Sequence, residues 1–277
     1  MKTIKPVPDH EVPVTLKTSL AQKSAITPCC LIFAGRGGTG KSTHARLHAE
    51  WIERSGLSLK IADLDRTNAT LTAFYPNLVE APRTADDKDV MTFLEDILER
   101  QIEEKYHLIL DFGDGDLVLK NLALRLDLVG FFRDYAIQPV LFHHLGADLD
   151  YLAYLASLEE DGLFRPEKTI VVLNEFIKPS SQSVEVAFET IMRSRQLGDV
   201  LKRGARMISL PDLLPAPGID RKRLRFYEAV QNRQSVDIPP LGPIKRQMLV
   251  QWLRTVGERF READVDLPWI PAEGQFT

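Results

Sequence analysis

Residues 34–43, AGRGGTGKST, constrain this chain more than any other stretch. Gly35, Gly40, Lys41 and Ser42 fit G-x-x-x-x-G-K-[ST]. The pattern lies between an apolar, strand-like run (CCLIFAG, 29–35) and a helical one (THARLHAEWIERSG, 43–56), which is the context such a loop needs. Glycines at 35, 37, 38 and 40 let successive backbone N–H groups turn inward around a phosphate, and the helix N-terminus adds partial positive charge. Lys41 offers a point charge between β- and γ-phosphates, and the Ser42 hydroxyl a ligand for Mg²⁺. Thr39 and Thr43 complete the stretch expected to line a bound nucleotide.

The chain beyond the loop predicts the architecture. Short apolar runs at 58–65, 106–116, 138–145, 168–175 and 206–212 alternate with amphipathic stretches. In one of these, Val90, Phe93, Leu94, Ile97 and Leu98 share a helical face. Strands alternating with helices predict a doubly wound, mostly parallel α/β sheet with helices on both faces, in a single P-loop NTPase domain. We place that domain at 27–243. An extended arm with Pro6, Pro8 and Pro13 precedes it (1–26), and a C-terminal helix and tail packed on the domain complete the chain (244–277). In that last helix Leu249, Trp252, Leu253, Val256 and Phe260 form one stripe. A hydrophobic content of 44% and a net charge of −4 fit a globular protein with no global pull toward nucleic acid or anionic lipid. No apolar stretch approaches the ~20 residues that span a bilayer, so the chain reads as cytoplasmic. Cys29 and Cys30 are adjacent and read as small buried strand residues.

A phosphate loop with Mg²⁺ needs a carboxylate on a neighbouring strand. LILDFGDGD (108–116) supplies Asp111 at a strand end, where it can reach the metal shell through water. Asp114 and Asp116 come next on the turn and read as solvated loop acids.

Taken in order, RGGTGKST, KIADLDRTNATL, LILDFGDG and VVLNE resemble the ParA/MinD group of P-loop ATPases over residues 29–215 or so. Within the group the chain is most similar to plasmid-borne nucleotide-binding proteins of conjugative transfer or plasmid stability. The resemblance implies slow, Mg²⁺-dependent ATP hydrolysis coupled to homodimerisation. It also implies a protein partner in plasmid transfer or segregation. Asp65 would stand at the switch position and place the attacking water, next to the metal shell of Ser42 and Asp111. Asp63, on the other face of the same strand end, is the weaker candidate. Asn174 would read the adenine edge, with a strand-end cap as its other reading, and Pro211 would pack beside the base. Two departures stand out. Arg66 and Thr67 replace the usual Pro-Gln after the second-strand acid, and Arg36 replaces the group's additional lysine.

That lysine reaches across a dimer to the partner's nucleotide. Arg36 keeps its charge and could grip phosphate in bidentate fashion, or else touch only its own nucleotide or solvent. RKRLRFYE (221–228), with Lys202, Arg203 and Arg206, is a basic cluster that reads either as a nonspecific DNA surface or as a solvated face. His143 and His144 end a strand without partners at metal-ligand spacing and read as structural. A membrane-targeting role for the last helix is the minor reading beside covering the sheet. Three functions stay open: a regulatory ATPase, a P-loop kinase with a second substrate, and an amidoligase-type synthetase. The 66–87 stretch holds only Arg66 and Arg83, few for a phosphate-gripping lid.

Overall fold

Period-two alternation along the first strand explains why the sheet is covered on both sides. Leu31 and Phe33 enter one apolar cluster, whereas Cys30, Ile32 and Ala34 enter another on the opposite face. The computed structural model describes residues 26–65, 70–113, 118–159, 162–231 and 240–275. Within them run strands β1 (Cys29–Gly35), β2 (Leu59–Leu64), β3 (Val79–Glu80), β4 (His107–Phe112), β5 (Gln138–Leu145), β6 (Lys168–Asn174) and β7 (Arg206–Leu210). They form one seven-stranded sheet in the order β3-β2-β4-β1-β5-β6-β7, and every pairing is parallel. The doubly wound parallel sheet expected from the alternation is therefore present, with one addition. The two-residue edge strand β3 is too short to leave a periodic signal.

The helices, in chain order, are α1 (Lys41–Arg54), α2 (Asp87–Glu104), α3 (Val118–Arg125), α4 (Leu128–Asp134), α5 (Leu152–Glu159), α6 (Val184–Ala187), α7 (Glu189–Met192), α8 (Arg195–Lys202), α9 (Ala216–Arg221), α10 (Phe226–Val230) and α11 (Pro243–Glu262). One face of the sheet is covered by α1 and α11, with Trp51 and Ile52 meeting Leu249, Leu253, Val256 and Phe260. The stripe read from the sequence is thus buried in the core. The other face is covered by α2 to α4 through Val90, Leu94, Ile97, Leu119 and Phe132. No helix among the described residues is long and apolar enough to cross a membrane. Burial pushes the Cys29 thiol up to about 12 and Cys30 higher still, so both are inert core residues.

β1 lies at the centre of the sheet, and its direct neighbours are β4 and β5. Chains leaving the C-terminal ends of such strands diverge there, opening a crevice at the point where the strand order reverses. The phosphate loop sits at that crevice.

Candidate functional site

Loop geometry follows from three glycines with positive φ: Gly35 (137°), Gly38 (72°) and Gly40 (82°). Two of them also lack room for a side chain. A Cβ on Gly35 would lie 2.5 Å from the His144 carbonyl oxygen, and one on Gly40 would lie 2.5 Å from Asn174 Nδ2. The loop's carbonyls are held from behind. Arg36 O accepts from Thr39 Oγ1 (2.7 Å) and Lys41 Nζ (2.9 Å), and Gly35 O accepts from Lys41 Nζ (3.0 Å). Thr39 O accepts from Asn174 Nδ2 (2.7 Å) and lies 3.2 Å from His144 Nδ1. In a trans peptide the N–H points opposite the C=O, so tying these carbonyls back turns the following N–H groups away from them, as a phosphate cradle requires. Lys41 is itself only 7% exposed and already fixed at the loop, with little rotamer freedom left to lose on binding.

Beneath the loop three carboxylates converge. Asp63 and Asp111 are register partners on β2 and β4, and Asp65 comes directly after β2. Asp111 is buried, and neither of its oxygens makes a well-formed hydrogen bond with a described residue, although the Ser42 hydroxyl stands close enough to favour its charged form. Loss of hydration is the main cause that pushes its carboxyl up to about 7; Asp63 and Asp65 push the same way, while the Ser42 hydroxyl and Lys41 oppose them. Asp63 rises to about 6, again chiefly through burial, although its Oδ1 accepts from Asp65 N (3.3 Å). A buried carboxylate so sparsely hydrogen-bonded is costly. This one stands beside the hydroxyl of Ser42, so the residues fit a hydrated divalent cation at this point. Asp65 packs over Gly113, where a Cβ would come within 3.1 Å of its Oδ1.

From the loop a cavity of about 590 Å³ runs to the ends of β6 and β7. Gly37 to Thr43 and Asp65 line one end; Asn174, Phe176, Pro211, Leu213 and Trp252 line the other. The structure thus gathers nearly all the residues singled out in the sequence. Asn174, however, is already engaged: besides Thr39 O, its Oδ1 accepts from Phe176 N (3.0 Å), the capping alternative. Phe176, 69% exposed at the rim, and Trp252, which donates to Pro211 O (2.8 Å), had no local signal pointing to a pocket. Arg36 does not line the cavity. It reaches Asp150 (3.5 Å) and lies over the Tyr151 ring, 5.3 Å from its centroid.

Most charges of the basic cluster are already paired. Arg203 grips Glu159 through two bonds (2.5 and 3.1 Å) and also caps Pro166 O, Arg206 pairs with Asp264, and Lys202 pairs with Asp199. Arg225 donates to Glu53 and stacks on Tyr75. Only Arg221 and Arg223 of that cluster are exposed without a described ion pair. Arg66, Thr67, Asp114 and Asp116 lie outside the described residues.

The fold and this site define a P-loop NTPase: a parallel sheet with the Gly-rich loop after its central strand, a lysine fixed at the cradle, and acids at the neighbouring strand ends. No protein-family model matches the chain, and no curated relative matches it. Among solved structures it is similar to FtsY from Mycoplasma mycoides, at 18% identity and a TM-score of 0.38, covering 60% of this chain and 58% of that one. The chain therefore spans less than two thirds of that FtsY's length. It is also similar to a protein assigned to plasmid partition from Borrelia burgdorferi, bound to AMPPNP (15% identity, TM-score 0.44, covering 83% of this chain and 99% of that one). A MinD cell division protein from Aquifex aeolicus is a third (12% identity, TM-score 0.45, covering 83% and 97%).

Proposed function

We propose that the protein is a Mg²⁺-dependent ATP-binding switch of the ParA/MinD type. Slow ATP hydrolysis would control a homodimer and its engagement of a protein partner in plasmid transfer or segregation, in the cytoplasm. The observation that carries the chemistry is Asp111: a buried carboxylate beside the Ser42 hydroxyl, with no well-formed hydrogen bond from a described residue, under a preformed phosphate cradle. Mg²⁺, when bound, would supply positive charge to the phosphates of the nucleotide. Ser42 would ligate it, Asp111 would hold a coordinated water, and Asp65 would orient the water that attacks the γ-phosphate. Lys41, already held at the loop, would meet the phosphate oxygens with little rearrangement. The apolar end of the cavity, with Pro211, Phe176 and Leu213, suits the adenine.

For Arg36 to serve a partner's nucleotide it must leave Asp150 and Tyr151. That contact is exposed, and an exposed ion pair is worth only about 0–1 kcal/mol, so it can be exchanged at little cost. A DNA contact, if made, rests on Arg221 and Arg223 with few phosphates neutralised, and is accordingly weak and salt-sensitive.

Steady-state turnover of ATP and GTP, with and without duplex DNA and without any acceptor, tests the reading. We expect Mg²⁺-dependent turnover of ATP well below the ~10 s⁻¹ typical of enzymes. Turnover that appears only with a small-molecule acceptor would replace the switch with a kinase or synthetase.

A further inference from the structure

Behind the phosphate loop, on the face covered by α1 and α11, three histidines lie in one line of contacts. His144 Nε2 is 3.0 Å from His44 Nδ1, His44 Nε2 is 3.1 Å from His48 Nε2, and His48 Nδ1 accepts from Trp269 Nε1 at 2.9 Å. At the other end His144 Nδ1 meets the Thr39 carbonyl at 3.2 Å. All three imidazoles are fully buried, and Phe33, Phe142 and Phe260 pack around them. No cluster of metal-ligand type forms among the described residues. The role of this series is unassigned by the proposed chemistry, yet it ends on the loop's own backbone.

Only one proton arrangement satisfies every contact with neutral rings. The Trp269 indole can only donate, so His48 Nδ1 is bare and Nε2 carries the proton. His48 then donates to His44 Nε2, which leaves the His44 proton on Nδ1. His44 donates in turn to His144 Nε2, and the His144 proton must sit on Nδ1, aimed at Thr39 O. Four donors thus point the same way, from the tail to the loop. Burial holds His48 and His144 down at about 3 and His44 well below its usual value, so all three are neutral.

We propose that His144, His44, His48 and Trp269 form a positioning relay that fixes the Thr39–Gly40 peptide of the phosphate loop, making the tail around Trp269 part of the nucleotide site. Thr39 O takes its second bond from Asn174, so two donors from two strand ends hold one carbonyl inward. The Gly40 N–H is thereby turned to the phosphate side. If the relay slackens, that peptide gains freedom which binding must then remove, and affinity falls. In the gapped contacts of a merely filled core, the direction of the protons would not matter. Here it does, because a reversed series would set a bare nitrogen against a carbonyl oxygen.

This inference rests on the nucleotide-binding reading, and its test separates the two. Histidine-selective ¹⁵N labelling of the full chain, without nucleotide, reads the tautomers directly. The relay requires Nε2–H at His48 and Nδ1–H at His44 and His144. Mg·mant-ATP titration then compares four variants. Trp269→Phe and His144→Leu should weaken binding about 3- to 10-fold, the share of one neutral hydrogen bond. His144→Asn places an amide N–H near the former Nδ1 and should recover most of the loss. Val256→Ala loosens the same core without touching the series and should bind within twofold of wild type, whatever its melting temperature. Opposite tautomers, or a His144→Leu protein binding within twofold of wild type, overturn the relay. Absence of any mant-ATP binding by wild type instead refutes the nucleotide reading and leaves the tautomer pattern to decide the relay.

Discussion

Gly35→Ala should damage this protein more than any other single methyl addition in the loop, and its cost can be built from the structure. Gly35 ends β1 at φ 137°, a region essentially reserved for glycine, and an L-residue there costs about 1–3 kcal/mol. The new Cβ would lie 2.5 Å from the His144 carbonyl oxygen, against the ~3.3–3.6 Å at which carbon and carbonyl oxygen normally meet. That oxygen belongs to backbone paired in register with Gly35, so relief requires β1 and β5 to separate at the loop. Against this, alanine removes about 0.4–1 kcal/mol of unfolded-chain entropy. With about 1–3 kcal/mol more for the overpacked contact, the net is a destabilisation of about 2–4 kcal/mol, or roughly 3–7 °C in melting temperature for a chain of this size. Gly38→Ala is the matched control, because φ is 72° but no atom lies within 4 Å of the added Cβ. It should cost only the left-handed strain, about 1–2 kcal/mol. Thermal unfolding of nucleotide-free protein measures both. If Gly35→Ala melts within 1 °C of wild type, or no lower than Gly38→Ala, the packing of β1 against β5 is not what shapes the loop.

Stability should fall as pH drops below 6.5. Buried His107 is held down to about 4 by desolvation, so its contribution is full above the unfolded value of 6.5 and is lost toward 4, about 3 kcal/mol for this residue alone. His48, His143 and His144 act in the same direction, while Glu50, Asp63 and Asp111, all raised, act oppositely as their native forms retain protons. Urea unfolding of wild type and His107→Phe from pH 7.5 to 5 checks this: the difference between them should shrink or reverse with acid, and parallel curves would exclude it. In sedimentation with Mg·ATP, Asp65→Ala should stay dimeric longest and Arg36→Ala should dimerise less than wild type, with Arg36→Lys in between. Monomers throughout, at high protein concentration, would remove the dimer from the account.

The loop, the succession of strands and helices along the chain and the stripe on α11 were legible because each depends on local pattern. G-x-x-x-x-G-K-S lies within ten residues, and strand and helix periods are read along one segment. What depended on distant partners was not. Arg203, Arg206 and Arg225 looked like a basic patch, yet their charges are met by Glu159, Asp264 and Glu53, the nearest of them 44 residues away. Arg36 matched a cross-dimer position, but the fold sets Asp150 and Tyr151 beside it. His44 and His48 stand four apart on one face of α1, a visible spacing. Their meeting with His144 and Trp269 exists only once β5 and the tail are in place.

The central claim is that this crevice binds Mg·ATP through Lys41 with Asp111 behind the metal. Calorimetric titration of ATP into wild type, Lys41→Ala and Asp111→Asn, each with Mg²⁺ and with EDTA, addresses it most directly. The account predicts saturable binding by wild type that is tighter with Mg²⁺, none by Lys41→Ala, and residual binding by Asp111→Asn that no longer responds to the metal. Equal binding by wild type and Lys41→Ala, or an Asp111→Asn protein that keeps the full Mg²⁺ effect, would contradict it.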